Sequence, residues 1–588
     1  MTTTGAFARV LIANRGEIAL RVIRACRELG IGAVAVYGDR EEQARHVRAA
    51  DDAYRISTSE GLPYLNVAAL IAIAVRANVQ AIHPGYGFLA ENAAFAEACR
   101  EAGLVFIGPP SDAIRSMGDK VEARSVAAKA GVPAVPGSEG PIGSVEEASA
   151  WADCHGYPVA VKAAGGGGGR GFRVARTPDE LADAFAGSSG EAARYFANPV
   201  VYLERYLDRP RHVEVQIFAD DHGNTLALGE RDCSVQRRHQ KLIEETPSPA
   251  VDPPLRAALG EAAVALARAV DYRGAGTVEF LLAEDGRFYF LEMNTRIQVE
   301  HTISEAVTGV DLVKEQILVA QGRPLSFSAP DIAPCGHAIE CRINAEDAGR
   351  DFAPSAGVVT RYREPGGPGV RLDSAMEDGA EILPSYDSLI AKLVVWGRDR
   401  AEAIARGRRA LDEFEVEGVP TTIPLLRRVL AHPTFIAEGA TTAFLAEHPD
   451  VLPPAATPPA GQTECDTLPP REMTVEVNGR RLVVRMPGNL IGPTPKSRAA
   501  GPPRIERSRN LRAAGGQNGT ELLSPIQGAV VRLAVEPGQQ VAAGDLVCVV
   551  EAMKMENEIV AHRAGSITKL PIAAGESVKI GSILAVIS

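Results

Sequence analysis

The sequence predicts a row of α/β and α+β units, then a tether, then a small all-β module. Three observations lead there. The chain has 588 residues, and at about 100 to 200 residues per domain that length asks for roughly three to five folding units. Strand and helix patterns alternate from the first residues to about Leu445. The last segment repeats itself: Gly528, Leu533, Gly538, Val541 and Gly544 recur as Gly565, Leu570, Gly575, Val578 and Gly581 at a constant offset of 37, so two copies of one β unit follow each other.

Composition sets limits on function. With 46% hydrophobic and 23% charged residues the chain belongs with soluble globular proteins, and a net charge of −12 disfavours a general nucleic-acid binder. The longest apolar run, Val67 to Val75, falls far short of the roughly 20 residues of a membrane helix. Met1 to Val10 carries neither a signal-peptide core nor an Arg-rich amphipathic helix, so a cytoplasmic location is expected. The eight cysteines lack any Cys-x-x-Cys spacing, which argues against a disulfide framework and a zinc site.

The chain opens as βαβ: a strand Val10 to Ala13, a helix from Glu17 to Leu29 stopped at Gly30, and a strand Ala33 to Tyr37. The turn Asn14 to Glu17 has one glycine where a dinucleotide site needs Gly-x-Gly-x-x-Gly, which disfavours nicotinamide or flavin. From Pro453 to Thr520 Pro, Gly, Ala and Ser dominate and basic residues cluster, the composition of a tether. Its positive charge fits either solvated linker or, less well, a nucleic-acid or partner surface. Within it, Asn478-Gly479 between alternating stretches signals a small hairpin. In the terminal repeat, the pseudo-twofold centre falls on Met553-Lys554-Met555, a predicted hairpin tip displaying Lys554.

Two further segments carry chemistry. Val159 to Lys162 is a strand running into Gly165, Gly166, Gly167, Gly168 and Gly169, with a return strand Phe172 to Ala175. Glycines let backbone N–H groups close over phosphate, and Lys162 adds charge, although the Gly-Lys-Ser/Thr of a P-loop is missing. The second is the hairpin Thr277 to Asn294. If Asp285-Gly286 is a two-residue turn, paired positions sum to 571, so Glu279 faces Glu292 and alternation puts Asn294 on the same face. Facing carboxylates with Cβ atoms ~5 Å apart repel and invite Mg²⁺ or Mn²⁺. The alternatives are relief by a nearby Arg or one raised carboxylate pKa.

Glu551 to Met555 resembles the attachment motif of biotinyl carrier domains, over the whole stretch Leu522 to Ile587. The resemblance implies a flattened β-barrel with biotin amide-linked to Lys554; related lipoyl modules typically flank the lysine with Asp and Ala. Upstream, the glycine loop and acidic hairpin resemble the ATP-grasp fold. Ile12 to Ile18, His83 to Phe88, Met117 to Lys120, Glu230 to Lys241, Glu292 to His301 and His337 to Arg342 together resemble biotin carboxylase over about residues 7 to 450.

The implied layout is a Rossmann-like pre-ATP-grasp domain at 7–118, an ATP-grasp domain at 119–330, a carboxylase C-terminal domain at 331–450, a linker with its hairpin at 451–520 and the carrier barrel at 521–588. By resemblance, Lys120, Lys162, the glycine loop, Glu204, Arg205, Tyr206, Leu207, His212, Gln236, His239 and Lys241 hold ATP, and Glu279, Glu292 and Asn294 the divalent ions. Arg296, Gln298 and the Val299 backbone hold bicarbonate, with Glu300 as general base. Tyr86 and Arg342 meet the biotin ring. If residues 296 to 300 are extended, Arg296, Gln298 and Glu300 share one face.

The chemistry implied is ATP-dependent activation of bicarbonate as carboxyphosphate, followed by carboxylation of biotin. Stabilising charge on the moving phosphoryl group is most of such work, and Lys162, Lys241 and the metal pair are expected to supply it, while Arg342 steadies the biotin enolate. Carboxylase, tether and carrier account for the 588 residues, so a carboxyltransferase β subunit is expected to act on the acceptor, acetyl-CoA or propionyl-CoA, as in the α subunits of bacterial acyl-CoA carboxylases that serve fatty acid biosynthesis. The alternatives are another acceptor, pyruvate, urea or a branched acyl-CoA, or an inactive carrier scaffold. A biotin protein ligase and a homo-oligomer are also expected. A tether of ~70 residues spans ~45 Å r.m.s. at 5 to 6 Å × √n.

Overall fold

The computed structural model describes residues 5–57, 61–138, 140–163, 171–196, 200–237, 240–455, 471–477, 480–486, 520–524, 528–552, 555–579 and 581–588. Gly165 to Gly169, His239, Lys554 and most of the tether lie outside the described residues.

The opening strand Arg9–Ile12, helix Gly16–Glu28 and strand Gly32–Tyr37 form as their patterns predict. Ile18, Ala19, Val22, Ile23 and Cys26 recur at helical spacing and are buried against the sheet. The parallel sheet has the order Asp52–Arg55, Gly32–Tyr37, Arg9–Ile12, Ala81–His83, Val105–Phe106, so strand order reverses between Arg9–Ile12 and Ala81–His83. Ligands of open α/β sheets gather outside such a switch point. Here Asn14 donates its amide to the carbonyls of Pro84 and Tyr86 at 2.7 and 2.8 Å. Gly85 makes that turn with φ +64°, where a Cβ would stand 2.8 Å from the Asn14 amide nitrogen.

Strand Val159–Ala163 lies between Phe172–Ala175 and Val201–Arg205 in a small antiparallel sheet. The main sheet has eight strands in the order Phe288–Asn294, Gly274–Leu282, Arg211–Ala219, Thr225–Arg237, Gln240–Thr246, His337–Asn344, Leu389–Gly397, Val370–Ser374. It crosses the boundary expected at residue 330, because Gln240–Thr246 pairs directly with His337–Asn344, Glu244 opposite Glu340. The two segments on either side of that boundary therefore share one sheet.

The hairpin register needs a correction. Phe280 pairs with Phe290 and Leu282 with Phe288, and Ala283 closes on Arg287, so the loop has three residues ending in Gly286 at φ +80°. A bulge at Leu291 then adds one residue and brings Glu279 opposite Glu292. The longer loop and the bulge cancel.

In the terminal module two four-stranded sheets form, Glu521–Leu523, Ile583–Ile587, Gly565–Lys569, Gln540–Val541 and Met555–Val560, Leu546–Ala552, Gly528–Leu533, Ser577–Val578. Shifting by 37 residues exchanges the sheets strand for strand, the structural form of the repeat. Ala552 pairs with Met555, so Met555, expected at the tip, is already in the ladder. In the tether, Arg471–Val477 pairs with Arg480–Met486. Among the described residues no helix is long and apolar enough to cross a membrane.

Candidate active site

Three glutamates line up across three neighbouring strands: Glu214 pairs with Glu279, and Glu279 with Glu292. Period-two alternation points His212, Glu214 and Gln216 to the same face of their strand. Left alone, such a row would repel. The Lys241 ammonium relieves it, reaching Glu214 at 2.5 Å, Glu279 at 2.9 Å and Glu300 at 2.7 Å.

Glu279 is crowded on one oxygen, Oε1, which takes three donors. It also meets His212 Nε2 at 2.8 Å and accepts from the Asn294 and Gln298 amides at 2.8 Å each. Burial alone would raise its pKa, yet Lys241 and His212 hold it well below the ordinary carboxylate range. Glu292 moves the other way, pushed up by burial and by the facing charge of Glu279. Among the described residues its carboxylate has no hydrogen-bond donor, an acceptor left open to the cavity that a divalent cation fits. Asn294 Oδ1, by contrast, accepts from Arg296 at 2.9 Å.

The segment 295–300 is not extended. It bends and turns, and Glu300 becomes the cap of helix His301–Thr308. Arg296, Gln298 and Glu300 still meet in one cavity because the turn carries them there, not strand alternation. Glu300 is shared between Lys241 and Arg342, the latter at 2.8 Å; against a burial penalty these cations keep it well below its ordinary pKa. Arg342 donates its other edge to Glu244 at 2.5 Å. Burial nevertheless pushes Glu244 up to about 7. Arg296 is braced by Glu91 at 2.9 Å.

Behind this wall sits Arg231, fully buried. Its five N–H groups go to Glu214, Gln216, Ser304, Thr277 and Gln298 at 2.6 to 3.1 Å, so the guanidinium is fully satisfied and fixes Gln298. Lys392, also buried, donates to the Val299 carbonyl at 3.0 Å and pairs with Glu17 at 3.1 Å.

A cavity of about 370 Å³ is lined by Lys120, Lys162, Glu204, Arg205, Tyr206, Leu207, His212, Gln236, Lys241, Glu279, Glu292, Asn294, Arg296, Gln298, Val299, Glu300 and Arg342. Every described residue that the sequence assigned to a site lines it, except Tyr86. Tyr86 is held on the turn 84–88, where its hydroxyl donates to Glu17 and its ring lies 5.7 Å from Lys392 Nζ. Lys162 and Arg124 both bond Glu204. Burial and the neighbouring Lys162 lower the Lys120 pKa, a strain that a polyanion would relieve. Sequence reasoning missed Glu214, Arg231, Glu244, Glu91 and Lys392; the alternation His212-x-Glu214-x-Gln216 was the signal available for the first.

A cavity walled by lysines, arginines and a carboxylate pair, on an antiparallel sheet beside a small glycine-loop sheet, defines an ATP-grasp ligase. The chain matches the biotin carboxylase N-terminal domain over residues 6–114, the carbamoyl-phosphate synthase L chain ATP-binding domain over 119–328, the biotin carboxylase C-terminal domain over 340–447 and the biotin-requiring enzyme domain over 520–587. It is 47% identical to the biotin-dependent acyl-coenzyme A carboxylase alpha3 subunit of Mycobacterium leprae, over 98% of each chain. It is 39% identical to the mitochondrial propionyl-CoA carboxylase alpha chain of Mus musculus, covering 98% of this chain and 91% of that one. The biotin carboxylase domain of Hydrogenobacter thermophilus 2-oxoglutarate carboxylase, a dimer in complex with MgADP, ADP and bicarbonate, superposes with a TM-score of 0.75 at 49% identity, over 77% of this chain and all of that one.

The chain belongs to the biotin-dependent carboxylase family, as a biotin carboxylase with its carrier on the same polypeptide, in the manner of acyl-CoA carboxylase alpha subunits. Its activity is the ATP-dependent carboxylation of biotin, with biotin, ATP and magnesium as cofactors.

Proposed function

We propose that Glu300 is the base that readies bicarbonate, and that the carboxyl group taken up on Lys554-linked biotin is passed to a separate carboxyltransferase subunit acting on acetyl-CoA or propionyl-CoA. The single observation that carries the first part is the sharing of the Glu300 carboxylate between Lys241 and Arg342 in the cavity that Arg296 and Gln298 also line. Two cations keep Glu300 ionised, and a carboxylate base must be ionised to take a proton. Arg296 offers forked donors to an anion, its orientation set by Glu91 and Asn294. Gln298 is immobilised by Arg231 and Glu279.

Lys120 and Lys162 are the charges suited to a polyphosphate, with Glu204 to Leu207 as the wall beside it. Glu279, Glu292 and Asn294 would hold the divalent cation, which supplies positive charge against the phosphates, while biotin supplies the ureido nitrogen that carries the carboxyl group. Arg342 then has a second task, to face the ring as negative charge develops. The full-length likeness to relatives named for acyl-CoA and propionyl-CoA supports the acceptor class. The same likeness supports a carboxyltransferase partner, attachment by a biotin protein ligase and a homo-oligomeric carboxylase, and supports the domain limits given above.

Bicarbonate-dependent ATP cleavage with free biotin tests the reading. Wild-type chain should turn over, and Glu300→Gln should lose at least a hundredfold in kcat while still binding ATP. Undiminished turnover in that variant would overturn the role of Glu300.

A further inference from the structure

Away from the cavity, the end of the carboxylase body gathers two imidazoles and a carboxylate. His432 joins helix Ile423–Ala431 to helix Pro433–Glu438, His448 follows helix Phe444–Glu447, and Asp450 lies in the turn Pro449–Val451. One ligand atom from each stands within 4.8 Å of the other two. We propose that His432, His448 and Asp450 form a binding site for a divalent transition-metal ion of the zinc class, which fastens the last turn of the carboxylase body where the tether departs.

Three features carry this. First, His432 Nε2 is 3.7 Å from the Asp450 carboxylate, too far for a hydrogen bond. Two ligands at about 2.0 to 2.1 Å on a tetrahedral ion stand about 3.4 Å apart, so the gap is the size an ion bridges. Second, none of the three side chains makes a hydrogen bond among the described residues, and His432 Nδ1 is buried without a partner. A largely buried imidazole with no hydrogen bond on either nitrogen keeps a lone pair to give. Third, the geometry is braced. The His432 and His448 rings lie 4.4 Å apart at 45° and pack on Phe444, at 5.5 and 4.8 Å. Arg428 donates to the carbonyls of Asp450 and Leu452 at 3.3 and 2.8 Å, fixing the Asp450 backbone while leaving its carboxylate free.

Imidazole with one carboxylate selects zinc, cobalt, nickel or copper over magnesium, which prefers oxygen ligands. Three protein ligands leave a fourth position to water. The cysteine pattern predicted no zinc site; this one uses no cysteine.

The test uses the full-length chain stripped with EDTA and held in excess magnesium, which occupies the carboxylate-rich nucleotide site. Cobalt(II) is titrated while its visible absorption is followed, then displaced with zinc, in wild type, His432→Gln and His448→Gln. Wild type should bind one equivalent more than either variant and give the strong visible band of a tetrahedral ion, and zinc should raise its melting temperature alone. Bicarbonate-dependent ATP cleavage should be equal in all three, which verifies that the variants are folded. Equal stoichiometry and equal absorption in wild type and both variants, with or without binding, would overturn the site.

Discussion

The Lys241 ammonium lies 2.7 Å from the Glu300 carboxylate, and the same nitrogen also holds Glu214 and Glu279. One buried cation thus balances three carboxylates from three separate parts of the chain. Breaking a buried pair on one side costs about 3 to 5 kcal/mol, because the partner stays behind uncompensated. Lys241→Met should therefore lower the melting temperature and cut ATP turnover by more than a hundredfold, read by calorimetry and by a coupled assay. Lys241→Arg should recover stability better than rate, since a planar fork cannot meet three carboxylates in the same way.

Glu244 gives a pH dependence whose sign is fixed. Its pKa rises from 4.5 to about 7 on folding, so between those values the folded chain binds more protons than the unfolded one, and stability falls as pH climbs through that window. Burial acts first, with Arg342 opposing it and the charge of Glu300 adding to it; Glu340 faces Glu244 across the sheet and is raised too. Glu244→Gln should flatten the fall in melting temperature between pH 5 and about 7. An unchanged slope would remove Glu244 as its source.

Glu292→Gln should weaken binding of the divalent cation by at least the roughly 10- to 100-fold that loss of a mere supporting partner of a metal ligand typically costs. The expected outcome is an increased magnesium requirement for ATP turnover, partly relieved by manganese. Normal activity at limiting magnesium would count against Glu292 as a ligand.

Much of this site was legible in the sequence, and the rest was hidden for physical reasons. The facing of Glu279 and Glu292 followed from turn arithmetic, yet it holds only because a three-residue loop and the bulge at Leu291 cancel, and neither has a signature strong enough to read beforehand. Arg296, Gln298 and Glu300 do meet, but through a turn that caps a helix rather than along a strand. Glu214 was within reach, since its alternation with His212 marks the same face. Arg231 and Glu244 were not, because a buried charge is recognised by its partners, and those come from residues tens of positions away. The sheet that runs across residue 330 was equally out of reach: strand pairing between Gln240–Thr246 and His337–Asn344 is a long-range event. The carrier was easier, since an internal repeat fixes the exchange of strands between its sheets without any tertiary knowledge.

The division of labour between the cavity and the carrier is tested most directly by transfer of radiolabel from bicarbonate to the chain itself. Biotinylated wild type should acquire ATP-dependent label on the polypeptide. Lys554→Arg should acquire none, yet still carboxylate free biotin, while Glu300→Gln, fully biotinylated, should do neither. Label on Lys554→Arg, or full labelling of Glu300→Gln, would contradict the account.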